Sequence, residues 1–339
     1  MKDRFPFNKF LYWLRYRTGE YCLRGFIFVL PRIPHRLLVL ITSAATRLTF
    51  AILWRYRKRM EENVSMAMSK EFLTEERRRS VVRMAWRNFA RGVYETACAL
   101  YTSREMICAS VAIQGEEYLK QALARGNGVI ALSAHLGNFT MIGPRLAAAG
   151  YPFSVVVKHP RDQRFARLID HYRAMVGVKT ISARPRREAA REILSALRRN
   201  ELVLLIADEF KSGDVKVEFL GCTVSAPRGP VTLALRTGGA VVPVFVTRDP
   251  EDRLTLRIGS EINLLKTGDL QEDVAANVAL FARHLEGMVR RYPDQWNWLG
   301  FQRNSSQSKN LRPDVLRFCC LNRKRSKKAD HTNELPRSD

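Results

Sequence analysis

The chain has 339 residues, 46% hydrophobic and 27% charged, which supplies apolar content for one large core or two ordinary ones and excludes intrinsic disorder as the overall class. There are 57 Lys and Arg against 33 Asp and Glu, a formal net charge of +24. Its six cysteines (Cys22, Cys98, Cys108, Cys222, Cys319 and Cys320) form no C-x-x-C pair and no framework spacing, so neither a zinc module nor a disulfide scaffold is supported, and a reducing, cytoplasm-facing compartment is expected.

The charge is concentrated at the ends. Residues 1–60 carry thirteen Lys or Arg and two acids (+11), residues 303–339 carry ten and four (+6), and the 242 residues between hold +7. In the first sixty residues the cations alternate with apolar runs at 26–30, 37–41 and 48–54. Binding nucleic acid requires cations but not such runs, whereas an anionic membrane surface suits both. The stretch 37–54 is interrupted only by Arg47, and Pro31 and Pro34 separate it from the run before. Its length is compatible with shallow insertion, one spanning helix or a core helix, each leaving Arg55, Arg57, Lys58 and Arg59 at the cytoplasmic headgroups. A basic cluster in place of a small-residue cleavage site does not read as a cleavable signal peptide.

From 61 to 100 apolar residues recur at threes and fours among Arg and Glu (Val64, Met68, Val81, Val82, Ala85, Val93, Ala97), the helical period. After Gly126 the texture changes to short β-branched runs at 129–132, 153–157, 202–206 and 241–246, separated by helical stretches at 163–176, 187–199 and 230–237. Strands alternating with helices predict a largely parallel sheet covered on both faces, with its reacting groups at the carboxyl ends of the strands. A last amphipathic helix is expected near 273–292, followed by Pro293-Asp294-Gln295-Trp296-Asn297-Trp298. Beyond Arg303 the apolar period stops, and 304–339 reads as a basic, mostly disordered tail.

The run 129–132 leads into Ser133-Ala134-His135-Leu136-Gly137-Asn138-Phe139-Thr140. A histidine just past a strand's carboxyl end stands where this sheet type puts its chemistry, and an unperturbed pKa near 6.5 suits imidazole to general-base work once a partner on the other ring nitrogen fixes its tautomer. His135 is the best placed of the six histidines. Asn138 is a candidate donor to a reacting carbonyl or a helix cap. Pro243, between valines, shapes a strand end, and Trp296 and Trp298 suit packing in a core, on acyl chains or at a membrane.

That segment, together with Ile206-Ala207-Asp208-Glu209, Ala226-Pro227-Arg228-Gly229-Pro230, Leu235-Arg236-Thr237-Gly238, Val241-Val242-Pro243-Val244 and the 292–298 block, resembles the bacterial lipid A biosynthesis acyltransferases, the late lauroyl and myristoyl transferases of the glycerolipid acyltransferase superfamily. The likeness covers approximately 21–303. The resemblance implies an α/β fold, a mostly parallel sheet flanked by helices, preceded by a hydrophobic N-terminal helical membrane segment. It divides the chain into a membrane-association segment 1–60, an acyltransferase domain 61–303 and the tail. It implies an enzyme of the bacterial inner membrane with its active site facing the cytoplasm, acting in lipopolysaccharide biosynthesis. Acyl carrier protein is then the donor's carrier, a hydroxyl of a lipid A precursor the acceptor, and no metal or cofactor is needed. Acylation of a lysophospholipid or an aminolipid is the alternative within the fold, and a non-catalytic lipid-binding homologue the alternative outside it.

The family's signature is a histidine followed, after four residues, by Glu or Asp. His135 matches, but Thr140 stands at the acid position. A hydroxyl orients an imidazole without supplying charge, so a substitute carboxylate is expected from Asp208, where the family also places an Asp, or from Glu209. Lys158 and Arg161, after the run 153–157, and Arg228, at a helix start, are the expected phosphate-binding residues, for the acceptor or for the carrier's phosphopantetheine.

Overall fold

The structure, a computed structural model, describes residues 4–68, 74–210 and 213–301; the basic tail at 304–339 lies outside the described residues. In chain order the elements are α1 (Arg4–Val29), α2 (His35–Ile52), α3 (Trp54–Ala67), α4 (Glu75–Ala99), α5 (Arg104–Ser110), β1 (Val111–Gln114), α6 (Glu116–Leu123), β2 (Val129–Ser133), α7 (Ile142–Ala148), β3 (Phe153–Val157), α8 (Gln163–Met175), β4 (Val178–Ser182), α9 (Arg186–Arg198), β5 (Leu202–Ile206), β6 (Val215–Phe219), β7 (Cys222–Ala226), α10 (Gly229–Thr237), β8 (Ala240–Arg248), β9 (Leu254–Ile258) and α11 (Leu270–Arg291). A single 3-10 turn, Phe139–Met141, lies between β2 and α7.

Seven strands form one sheet in the order β1-β9-β8-β2-β5-β3-β4. Strands β8, β2, β5, β3 and β4 are mutually parallel; β9 is antiparallel to β8, and β1 is parallel to β9. The mostly parallel sheet covered by helices thus forms as the β-branched runs predict. Strand β2 is buried throughout, and its residues alternate between two cores. Ile130 and Leu132 face the side packed by α3, α4, α9, α10 and α11, while Val129 and Ala131 face the side packed by α5, α6 and α7. A strand buried on both faces reads as a continuous apolar run, which is why this one is visible in sequence. Pro243 stands where β8 changes neighbours. Residues 240–243 pair with β2 and residues 244–248 with β9, so its missing N–H costs no ladder bond.

The expected helical stretch 61–100 divides into α3 and α4, with 69–73 outside the described residues. The N-terminal helices depart further from expectation. On α1 the charges turn inward: Glu20 is fully buried and Arg17 nearly so. Arg17 pairs with Glu20 and donates to both oxygens of Asp162 at 2.7 and 2.8 Å, while Arg164 (2.9 Å) and Arg24 (3.0 Å) close on Glu20. Mutual pairing is what permits these charges to leave water. The cluster ties α1 to the start of α8, and Arg17 is therefore not available to a headgroup. Outward face Phe10, Trp13, Leu14, Tyr21 and Phe28, joined by Leu37, Leu40, Leu48, Ile52 and Trp54 on α2 and α3. Among the described residues no single helix is long and apolar enough to cross a membrane; residues 36–52 and 54–67 together have the composition but bend by 81° at their junction.

Candidate active site

Parallel register assembles the site. Ser133 of β2 pairs with Ile206 of β5, and the Ala207 N–H donates to the Ser133 carbonyl at 2.9 Å. His135 and Asp208 each stand two residues beyond that pair, so 73 residues of sequence separation close to 2.7 Å between His135 Nδ1 and Asp208 Oδ1. Asp208 Oδ2 accepts the His135 backbone N–H and the Trp296 indole N–H, both at 2.9 Å. The Asp208 carboxylate is buried, with 3% of its side chain exposed, whereas 32% of the His135 side chain is open. Burial pushes the Asp208 carboxyl up; the adjacent His135 and the hydrogen bonds from His135 and Trp296 outweigh it, and the net result is a pKa below the usual 3.8. An ionised carboxylate only accepts, so Nδ1 of the neutral ring carries the proton and Nε2 the lone pair.

The loop that carries His135 is pinned on both sides. Residues 136–138 take β2's place along β8: Gly137 bridges to Val246, and the Asn138 N–H donates to the Val246 carbonyl at 3.0 Å. Opposite, Leu136 bridges to Trp296, Gly137 N–H donates to Gln295 O at 2.8 Å and Asn297 N–H to His135 O at 3.0 Å. Gly137 has φ +61°, and a Cβ there would lie 1.9 Å from the Val246 carbonyl oxygen, so only glycine fits. Phe139 sets its ring edge-on to the imidazole at 5.0 Å.

Of the two carboxylates put forward as substitutes for the motif acid, Asp208 lies against the imidazole and Glu209 is exposed beside it. Thr140 uses its hydroxyl elsewhere, donating to Asn138 Oδ1 at 2.7 Å and lying 2.5 Å from Thr96 Oγ1 of α4. Asn138 is buried, and its Nδ2 donates to Glu95 at 2.8 Å. Its Oδ1 and one of its two Nδ2 hydrogens are thus engaged within the fold. Lys158 and Arg161 are exposed beyond β3, on the same sheet edge as His135. Arg228, at the start of α10, is exposed with its Nε 3.8 Å from Asp214 Oδ2. Among the described residues no three His, Cys, Asp or Glu side chains converge to hold a metal ion.

Sequence reasoning missed three participants. Trp296, read as packing, is buried and also donates to Asp208. Glu95 on α4 and Arg248 at the end of β8 form two hydrogen bonds of 2.7 and 2.6 Å that flank the loop. Their separation of 153 residues leaves no local signal for the pair. Beside Ala207, an apolar crevice walled by Phe210, Pro227, Pro230, Phe281 and Leu285 has a volume of about 10 Å³, room for about one water molecule.

Fold and site together define a mainly parallel α/β protein with a His–carboxylate pair at the carboxyl ends of its central strands. The chain belongs to the bacterial lipid A biosynthesis acyltransferase family, whose model matches residues 6–303. Among curated relatives it is similar to the phosphatidylinositol mannoside acyltransferase of Mycolicibacterium smegmatis, 27% identical over 185 residues, or 54% of this chain and 59% of the relative. The enzyme of that name from Mycobacterium tuberculosis is 33% identical over 134 residues, 39% of this chain and 42% of the relative. The matches therefore span roughly half the length of these relatives. Among solved structures, the 1-acyl-sn-glycerophosphate acyltransferase PlsC from Thermotoga maritima aligns over 75% of this chain and 97% of its own, with 12% identity and a TM-score of 0.34.

Proposed function

We propose that the chain is a membrane-associated O-acyltransferase that moves a fatty acyl group from acyl carrier protein to a hydroxyl of a membrane glycolipid, a lipid A precursor being the acceptor suggested by the family. The observation that carries this reading is the 2.7 Å contact between His135 Nδ1 and the buried Asp208 carboxylate at the carboxyl edge of β2 and β5. His135 Nε2 takes the acceptor's hydroxyl proton as its oxygen attacks the thioester carbonyl. The C–S bond breaks as the tetrahedral oxyanion collapses, and the imidazolium returns the proton to the departing thiolate. Asp208 holds the ring and stabilises the imidazolium in between, a role that general-base catalysis rewards by roughly 10²–10⁴-fold. The route needs no covalent enzyme intermediate.

The exposed cations Lys158 and Arg161 suit a phosphate at the same edge as His135. The outward aromatic and aliphatic side chains of α1 and α2 form an apolar face larger than a water-facing helix pair needs, which supports a lipid surface as its partner. Asp208 on Nδ1 favours catalysis over the non-catalytic lipid binder that Thr140 alone suggests. Lipid mass spectrometry of cells with and without the gene tests the reading. One acyl chain missing from lipid A supports it, unchanged lipid A with altered phospholipid or aminolipid transfers the activity to another acceptor, and no change in any lipid refutes it.

A further inference from the structure

We propose that Glu95 is a positioning residue for the His135 loop, acting through Asn138 to fix the direction of the Asn138 and Thr140 hydrogen bonds on the loop's outer side; the inference rests on His135 being the reacting base. The face of α4 that meets the loop presents Gly92, Glu95 and Thr96, spaced three and four apart. Gly92 lies against the Asn138 carboxamide, where even a Cβ would make ordinary contact at 3.5 Å. Glu95 supplies polarity. Arg248, its side chain 8% exposed, donates to both oxygens of the carboxylate, and a carboxylate bonded in this way to a guanidinium is an acceptor on both oxygens. Asn138 must therefore turn Nδ2 toward Glu95, at 2.8 Å, and Oδ1 away from it. Oδ1 in turn fixes Thr140 as the donor, at 2.7 Å, while Thr96, whose oxygen lies 2.5 Å from that of Thr140, has the Gly92 carbonyl to donate to at 2.7 Å.

Arg248 is itself clamped to the other wall of the loop. Its backbone N–H and carbonyl form a reciprocal pair with the Gln295 side chain, at 2.9 and 2.8 Å, and the Gln295 carbonyl accepts the Gly137 N–H. One continuous set of bonds thus runs from α4 through Asn138, and from β8 through Gln295, to the two residues that follow His135 closely in the chain. The loop is braced by Asp208 under its histidine and by Glu95 under its asparagine. The motif position that holds Thr140 needs no charge of its own in this arrangement.

The test exchanges donor and acceptor between the two partners. In Glu95→Gln the amide offers both a donor and an acceptor, so Asn138 loses its fixed direction. In Asn138→Asp two carboxylates face each other. The double variant Glu95→Gln/Asn138→Asp restores donor and acceptor between these two residues at the same net charge, leaving Arg248 one of its two Glu95 acceptors, and Thr140 again finds an oxygen to donate to. Two readouts are taken on the full chain: the ¹⁵N-histidine spectrum of His135, assigned by its loss in His135→Ala and requiring no substrate, and kcat and KM for transfer from lauroyl-acyl carrier protein. Both single variants should displace the His135 ring signals and lower kcat roughly ten- to hundredfold at unchanged donor KM, the scale of a small misplacement of a reacting group. The double variant should return both readouts toward wild type. A His135 signal unmoved in folded Glu95→Gln, or a folded double variant that recovers nothing, overturns the proposal. Should Glu95→Gln not fold, Thr140→Val at its exposed position carries the test, and an unchanged spectrum and kcat there overturn it equally. If wild type transfers no acyl group, the enzyme reading fails while the spectrum still decides this one.

Discussion

Replacing Asp208 by Asn exchanges one heavy atom, a carboxylate oxygen for an amide nitrogen, and tests how the site is built. The carboxylate accepts three N–H groups: His135 Nδ1–H on Oδ1, and the His135 backbone and Trp296 indole N–H groups on Oδ2. An amide in that place has one oxygen. Turned to keep Nδ1–H bonded, it points its own NH₂ at two buried donors, which at about 1–3 kcal/mol each costs about 2–6 kcal/mol. Turned the other way, its oxygen satisfies both donors and its NH₂ faces Nδ1, which forces the proton onto Nε2 and removes the base. At tenfold per 1.4 kcal/mol, the reactive tautomer falls roughly 30-fold to 10⁴-fold; the upper end is the loss of about 10⁴ that follows the same change in serine proteases. Single-turnover transfer from an acyl-carrier thioester should show this drop with the donor KM nearly unchanged. Stability carries a second signature. Because the folded pKa of Asp208 lies below 3.8, its contribution is present above the unfolded pKa and is lost as pH falls through the folded one. Melting temperatures of wild type and Asp208→Asn should therefore draw together on acidification below about pH 4. A rate within a few-fold of wild type would refute the role of Asp208, and, with Glu209→Gln equally silent, the idea of a substitute acid.

Trp296→Phe removes one donor from Asp208 while leaving its charge; it should lower stability by about 1.5–3 kcal/mol in a denaturant titration and reduce kcat less than Asp208→Asn does. Gly137→Ala forces a left-handed residue and a clash with the Val246 carbonyl, worth roughly 1–3 kcal/mol from the backbone conformation alone, and should cost activity as well as melting temperature. Replacing Trp13, Leu40 and Ile52 together by Ser or Gln should release the protein from anionic vesicles in a sedimentation assay without lowering its melting temperature, since all three side chains are exposed; unchanged sedimentation would place the membrane contact elsewhere. Deletion of 1–60 is a poorer test, because Leu30, Leu38 and Met60 are buried and Arg17 and Glu20 are bonded to α8.

The strands legible in sequence are those buried on both faces: β2, β3, β5 and β8 have near-continuous apolar runs and were placed to within a residue or two at most ends. Strands β4, β6 and β9 read VKTIS, VKVEF and LTLRI, where every second residue or so is polar and half-buried or exposed, and so merge with the surrounding charged sequence. His135 was legible because a strand end and a motif coincide there. The choice between Asp208 and Glu209 was not, since adjacent residues past a strand end point to opposite sides and only the register with β2 says which faces the histidine. The inward charges of α1 were invisible for a similar reason: besides local partners, Glu20 pairs with Arg164, 144 residues away, and Arg17 with Asp162, 145 residues away. Glu95 looks like one more acid on an amphipathic helix until the loop is folded against it.

The most direct measurement is acyl transfer by His135→Ala, with the purified full chain, an acyl-carrier thioester and the lipid acceptor, read by mass spectrometry of the product. The variant should fold, because Asp208 keeps the His135 backbone and Trp296 indole N–H groups on Oδ2 without the imidazole, and should still bind donor. Transfer should fall by three or more powers of ten, of the order lost when a catalytic base is removed. Transfer within tenfold of wild type by folded His135→Ala would contradict the assignment of the base, and with it the acyltransferase mechanism built on the His135–Asp208 pair.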